Sequence, residues 1–221
     1  MNIEHNNAVH ISAVLNKLKF TVERGALFIK DIGPIEIPYL QTYLQSYYIP
    51  LSLAKKHLVQ LRLYNKKSRN HFYALGFKSD AGGYEICNNF IKGYIDERAV
   101  TFIRGREPYS AAVHIFGDCA DFLSLSAGQP GGRLRHNSLV LNSPHLWREC
   151  QMHIYSPRYR VAFTWLNNGN DGKLTQSHLD EFFQSQNILH VPMNEKYASK
   201  PSLTAWRVQA KSQAKNGLDK P

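Results

Sequence analysis

The stretch Ala112-Val-His-Ile-Phe-Gly-Asp-Cys-Ala-Asp-Phe-Leu-Ser-Leu-Ser126 decides the fold class. Ala112–Phe116 is a short apolar run of strand length, and a helix is predicted over residues 120–127. The same alternation then repeats. Ser138–Leu141 is a second apolar run followed by a helix around His145–Met152, and Arg160–Leu166 is a third followed by a helix over Thr175–Gln184. Ile188–Val191 makes a fourth strand. Short buried strands separated by helices imply an α/β fold, here a four-stranded, mainly parallel sheet flanked by helices. Sites in such sheets lie at the carboxyl ends of the strands. Those ends are Gly117-Asp118, Asn142-Ser143 and Asn167-Asn168-Gly169.

Upstream of this region the pattern is different. Phe72–Phe77 alternates as a strand, Ser79–Gly83 supplies turn residues, and Tyr84–Ile86 begins the return strand of a hairpin. Thr101–Ile103 is a further short strand. Leu40, Tyr43, Leu44 and Tyr47 have helical spacing, and Pro50 separates them from a second helix. Ser52 is placed to cap that helix, which would carry Leu53, Ala54, His57, Leu58 and Leu61. Lys55, Lys56, Arg62, Lys66, Lys67 and Arg69 make this helix and its following loop strongly basic. Ile11, Val14, Leu15 and Leu18 predict a short helix near the amino terminus. The organisation read from these changes is an N-terminal segment over 1–26, a lead-in of helices plus a β-hairpin over 27–110, the α/β domain over 111–206, and a basic tail over 207–221.

The 221 residues are 43% hydrophobic and 20% charged, a globular composition with no stretch approaching the apolar length of a membrane helix. No signal-peptide pattern opens the chain, and Cys87, Cys119 and Cys150 form neither C-x-x-C pairs nor a disulfide framework, so the reading is cytoplasmic with no membrane partner. A formal charge of +10 points to a polyanionic partner, DNA or RNA, although a basic surface also serves solubility alone.

Six runs, in consistent order over residues 27–206, resemble the Toprim-domain family of phage- and plasmid-type (mobile-element) DNA primases. YALGFKSDAGGYEICN with NFIKGYI (73–95) is similar to the pattern F-A-[IL]-G-F-K-N-D-x-G-G-Y-E-x-R-N-x-x-x-K-G before the Toprim domain. IKDIGPIEIPYLQTYLQSYYIPLSLAKKHL (29–58) resembles its helical lead-in. VHIFGDCADFLSLS (113–126) resembles the first Toprim motif, SLVLNS (138–143) the second strand, VAFTWLNNGNDGK (161–173) the segment [LF]-D-N-D-x-A-G, and NEKYASKPSLTAW (194–206) the closing motif.

The resemblance implies phosphoryl-transfer or phosphodiester chemistry on Mg²⁺ held by carboxylates, and the departures bear on that. The family's general acid/base glutamate falls on Gly117, and its paired aspartates fall on Asn167 and Gly169. The closing aspartate falls on Ser202, and the family's cysteine-based zinc finger has no counterpart. Asparagine offers magnesium a neutral carbonyl and glycine offers no side chain, so these positions predict lost catalysis, with no metal and no cofactor. The expected function is therefore binding of nucleic acid or a nucleoprotein partner in a mobile-element, replication or defence setting, through Lys55, Lys56, Arg62, Lys66, Lys67, Arg69, Arg133 and Arg135. Two alternatives stand beside it. In one, Asp118, Asp121 and Asp171 rebuild a Mg²⁺ site for a nucleotidyltransferase or nuclease; in the other, the chain is a protein-binding adaptor or inhibitor with a primase-like fold. The structural readings of the same residues are a helix-capping Asp121, turn glycines Gly82 and Gly83, packed Trp147, Trp165 and Trp206, packed or surface His114 and His190, and solvated loop charges at Arg133 and Arg135.

Overall fold

The computed structural model describes residues 26–154 and 158–218. Leu27–Gly33 forms β1, and two short helices follow, α1 (Pro38–Ser46) and α2 (Leu51–His57). Strands β2 (Leu58–Asn65), β3 (Asn70–Lys78), β4 (Tyr84–Cys87) and β5 (Lys92–Ile95) complete a sheet of order β1-β2-β3-β4-β5, antiparallel throughout. The remaining elements are β6 (Thr101–Ile103), β7 (Ala112–Phe116), α3 (Cys119–Ser126), β8 (Asn137–Val140), α4 (Trp147–Ile154), β9 (Val161–Trp165), α5 (Asn170–Ser185), β10 (Leu189–Pro192) and α6 (Leu203–Leu218). Their strands form a second sheet of order β10-β9-β7-β8-β6.

In this second sheet β10, β9, β7 and β8 are parallel, and β7 lies beside β9 with Ala112 opposite Val161 and Phe116 opposite Trp165. It has five strands rather than the four read from the sequence, because Thr101–Ile103 adds an antiparallel edge along β8, with Ile103 opposite Ser138. The lead-in differs more. The helix expected to reach Leu61 stops at His57, and Leu58–Asn65 is a central strand between β1 and β3. Arg62 therefore projects from a strand, and Lys66, Lys67 and Arg69 sit in the β2–β3 turn, not on or after a basic helix. Ser52 is not the cap of α2 either; Pro50 occupies that position. At the other end α6 runs through residues expected as a tail. The helix expected over 11–18 lies outside the described residues.

Period-two burial along the strands explains how the layers stack. Val113 and Ile115 point with Leu139, Leu141 and Ala162 into a core closed by Cys150 and Ile154 of α4 and by Leu179 and Phe183 of α5. Phe116, Val140 and Trp165 face the other way. There they meet Phe122 and Leu123 of α3, Leu203 of α6, and Leu40, Leu44, Leu53 and Ala54 of the two lead-in helices. Leu58, Leu75 and Phe77 of the antiparallel sheet join the same cluster, so α1 and α2 are packed into a shared core with both sheets. Burying aliphatic side chains of this size stabilises each by roughly 1.5–3 kcal/mol, and this shared core fixes the carboxyl ends of the parallel strands against β4 and β5.

Candidate binding cleft

The seam between the sheets opens into a cleft of about 400 Å³. Its floor is the carboxyl ends of the parallel strands: Gly117-Asp118 after β7, Leu141-Asn142 after β8 and Leu166-Asn167 after β9. Its opposite wall is Glu85 and Cys87 of β4, Lys92 of β5 and Arg98, with Tyr43 and Tyr47 of α1 at one side.

Asp118 is extended (φ −148°) and caps α3, its Oδ1 accepting from the Asp121 backbone amide at 3.0 Å. The capping residue is thus Asp118, where the sequence suggested Asp121. Lys92 Nζ donates to Asp118 Oδ2 at 3.0 Å. Burial pushes the Asp118 carboxyl up, but Lys92 and the helix amides outweigh it and hold the group below its ordinary range. Asp121 is 3% exposed, and its Oδ1 accepts from the Thr204 amide at 2.8 Å and the Thr204 hydroxyl at 2.6 Å, tying α3 to α6. Burial first, and the Asp118 carboxylate second, push Asp121 up to about 7 against those hydrogen bonds. Across the cleft, Arg98 grips Glu85 through both carboxylate oxygens, with Nη2–Oε2 at 2.6 Å, and stacks its guanidinium 4.4 Å from the Tyr94 ring centroid.

Asn142 is strained. It sits at φ +63° in the left-handed region, buried, with its amide nitrogen donating to the Ala99 carbonyl (2.8 Å) and the Thr101 hydroxyl (2.9 Å). Its Oδ1 lies buried with no hydrogen-bond partner among the described residues, beside the cleft that Asn142 lines. Asn167 is occupied by its own turn: its Oδ1 accepts from the Gly169 amide at 3.0 Å, and its carbonyl lies so near Gly172 that a Cβ there would come within 2.0 Å. Asn168 holds the same turn to the Tyr197 and Lys200 carbonyls. Ser202 reaches the cleft edge, and its hydroxyl accepts from the Ala205 amide at 3.3 Å.

The structure gathers Gly117, Asp118, Asp121 and Asn167 at the cleft but leaves Asp171 exposed on the first turn of α5, off its lining, so the acidic trio is not brought together. No group of three or more His, Cys, Asp or Glu side chains is placed to hold a metal among the described residues. Asp118 is engaged by Lys92 and the helix amides, Asp121 by Thr204, and Gly117 and Gly169 contribute no donor atom, so this donor set does not fit Mg²⁺. Lys92, Arg98 and Glu85 were missed as site residues. For Glu85 and Lys92 the signal lay in the run 84–93, whose Glu and Lys-Gly positions match the primase-like pattern; Arg98 lies beyond that run and had none.

The basic positions divide among three places. Lys55 and Lys56 end α2, Arg62, Lys66, Lys67 and Arg69 belong to the β2–β3 hairpin, and Arg133 and Arg135 lie in the loop before β8. Arg135 is paired with Glu107 at 2.8 Å. Gly82, at φ +92°, is a turn glycine. Trp147 stacks on His178 with centroids 4.5 Å apart, Trp165 lies in the core and Trp206 remains 42% exposed. His114 accepts from the Trp165 indole, and His190 bridges Thr164 and Asp180.

A family model described as a domain of unknown function (DUF8464) matches residues 29–96, the antiparallel sheet and its two helices. No curated protein sequence matches. Among solved structures, the crystal structure of the primase fragment of the bacteriophage T7 primase-helicase protein is similar at a TM-score of 0.54 and 7% identity, covering 90% of this chain and 81% of that one. The likeness shows a primase-like α/β fold. No helix among the described residues is long and apolar enough to cross a membrane.

Proposed function

We propose that this chain is a Toprim-type protein without metal-dependent catalysis that binds nucleic acid, or a nucleoprotein partner, of a mobile-element, replication or defence system. The observation that carries this reading is the state of the cleft. Where the resemblance expects free carboxylates at adjacent strand ends, positions 117, 167 and 169 hold Gly, Asn and Gly, and the two remaining aspartates are engaged by Lys92, helix amides and Thr204. The +10 charge supports the choice of a polyanionic partner, since phosphate neutralisation dominates nucleic-acid affinity. The primase-like shape is consistent with it.

A second reading has its own observation. Asp118 and Asp121 both line the cleft, and a carboxyl pushed up to about 7 is the kind of group active sites contain. Here the pair would serve a nucleotidyltransferase or nuclease with relocated ligands.

Two measurements on the same preparation separate the readings. Labelled single-stranded and duplex oligonucleotides are titrated with the protein at low and physiological salt, and primer synthesis and strand cleavage are assayed with Mg²⁺ and Mn²⁺. The proposed function gives salt-sensitive binding and no turnover. Turnover that is lost in Asp118→Asn establishes the second reading, and failure to bind at low salt leaves a protein-binding adaptor.

A further inference from the structure

A second cavity, of about 380 Å³, shares no lining residue with the cleft. It is at the amino end of β8, between the last turn of α2, the segment after β6 and the loop 131–134. Three cations line it: Lys56, Arg104 and Arg133. No carboxylate is among its lining residues. Lys56 Nζ is held by the Gly131 carbonyl at 2.9 Å, and the Arg133 guanidinium by the Arg104 carbonyl at 3.2 Å, so backbone dipoles position these charges and no ion pair among the described residues neutralises them. This contrasts with the first cleft, where Lys92 and Arg98 each have a carboxylate.

The uncharged part of the cavity is equally defined. Phe122 and Leu134 are buried walls, and Ser138, 1% exposed, adds a hydroxyl. His57 and His136 complete the polar rim. Burial and then Lys56 hold the His57 imidazole below its ordinary pKa, and burial and then Arg135 do the same for His136, so both are neutral hydrogen-bonding groups at physiological pH. Three like charges around one hollow repel one another, and an anion of matched size relieves that repulsion. The volume falls within the range of small-molecule sites, roughly 300–1,000 Å³, larger than a bare inorganic anion fills.

We propose that this cavity binds a phosphate ester of mononucleotide size, the phosphate seated on Lys56, Arg104 and Arg133 and the less polar part against Phe122 and Leu134. Lys56 and Arg133 also belong to the basic set assigned to nucleic acid, so the inference deepens that reading by naming the group bound here, while the titrations below score the cavity separately from strand affinity elsewhere. The phosphate has two sources, a free nucleotide or the 5′-phosphate end of a strand.

Calorimetric titration of the full chain tests it with inorganic pyrophosphate, a nucleoside triphosphate, and a short oligonucleotide with and without a 5′-phosphate. Saturable one-to-one binding of the nucleoside triphosphate is expected, tighter than pyrophosphate. Arg104→Gln and Arg133→Gln should each weaken it about tenfold or more, and Lys211→Ala, on the exposed face of α6 and outside the lining of either cavity, should leave it unchanged. All three altered side chains are exposed or half-exposed, and unfolding temperatures of the variants verify that the fold is kept. Displacement of the nucleotide by the 5′-phosphorylated oligonucleotide but not by its 5′-hydroxyl twin identifies a strand end as the source. Binding must also persist in the Lys66→Ala, Lys67→Ala, Arg69→Ala variant, which separates the cavity from general strand affinity. The proposal is overturned if no probe binds saturably, or if both glutamine variants bind as wild type does.

Discussion

At the scale of single residues, Asp121 makes the sharpest prediction because its environment pulls two ways. Its buried carboxyl titrates near 7, against about 3.9 in an unfolded chain. An acid whose pKa is raised by folding favours the native state below its unfolded pKa, and that contribution is lost as pH rises through the folded value. Asp121 therefore weakens the fold between about pH 4 and pH 7. Asp121→Asn keeps the oxygen that accepts from Thr204 but cannot ionise. The variant should match wild type near pH 4 and below, and exceed it at pH 8 by on the order of 1–4 kcal/mol in denaturant unfolding; parallel stability curves for the two proteins would remove the buried-acid account. Gly117 carries the companion prediction. A Cβ there meets nothing nearer than Leu166 at 3.8 Å, so a larger side chain can enter the cleft, whereas one at Gly169 would come within 3.1 Å of Asn167 Oδ1 and force a small adjustment. The triple change Gly117→Glu, Asn167→Asp, Gly169→Asp should lower apo stability through carboxylate repulsion. Mn²⁺ should then restore it, by about 2.7 kcal/mol at a hundredfold excess over the dissociation constant. Wild type should show no saturable Mn²⁺ shift in a thermal melt; a shift abolished by Asp118→Asn would establish a working metal site in the native cleft.

At the scale of elements, the β9–α5 turn shows how tightly a local motif is set. Gly172 has a negative φ, so backbone freedom is not its reason for being glycine; the reason is that a Cβ would sit 2.0 Å from the Asn167 carbonyl and 2.5 Å from its side-chain oxygen. Gly172→Ala must push the turn off the start of α5, and we expect a loss of about 1–3 kcal/mol together with altered ligand binding in the adjoining cleft. Equal stability of the variant, measured by denaturant unfolding, would mean the turn is looser than its contacts imply. The strand–helix alternation of this half was legible because each strand is a short buried run and each helix has its own apolar face, and Ala112–Phe116 reads the same in sequence and structure. The lead-in was less legible for identifiable reasons. Leu53, Ala54, Leu58 and Leu61 satisfy helical spacing, yet beyond His57 the chain is a strand with both faces covered: Leu58 is buried on one face, Leu61 and Leu63, two apart, on the other, as pairing with β1 and β3 enforces. In β1 the register shifts between Ile29 and Asp31, which breaks the alternation that marks a strand. In β5 the run Lys-Gly-Tyr-Ile is too short and too polar to announce itself, and only its pairing with β4 makes it a strand. For the same reason Lys92 could not be placed opposite Asp118 from the sequence: the contact spans 26 residues and exists because one sheet closes on the other.

At the scale of the whole molecule, the question is where a strand of nucleic acid would lie, since the folding of Leu58–Asn65 as a strand separates what the sequence presented as a basic helix and its following loop. Lys66, Lys67 and Arg69 project from the exposed β2–β3 turn, with Arg69 itself at φ +58°, while Lys55 ends α2 on the core side of the same sheet. If all of these touch one strand, its path must run over the antiparallel sheet, and the turn should contribute separable phosphate contacts. Each phosphate neutralised contributes about −0.7 to −0.9 to the slope of log K against log salt. Replacing Lys66, Lys67 and Arg69 together by Ala should therefore flatten that slope by roughly 2–3 units and weaken binding alike for every sequence tested. Stability should hardly change, because these side chains are exposed and surface charges contribute little to folding. Lys55→Ala, in the same assay, should remove about one unit or less. Anisotropy titrations across a series of salt concentrations, with the Asp121→Asn protein as a control whose surface charge is unaltered outside the cleft, provide the measurement. An undiminished slope in the triple variant would move the binding face away from the hairpin, to the loop before β8, where Arg133 and Arg135 stand.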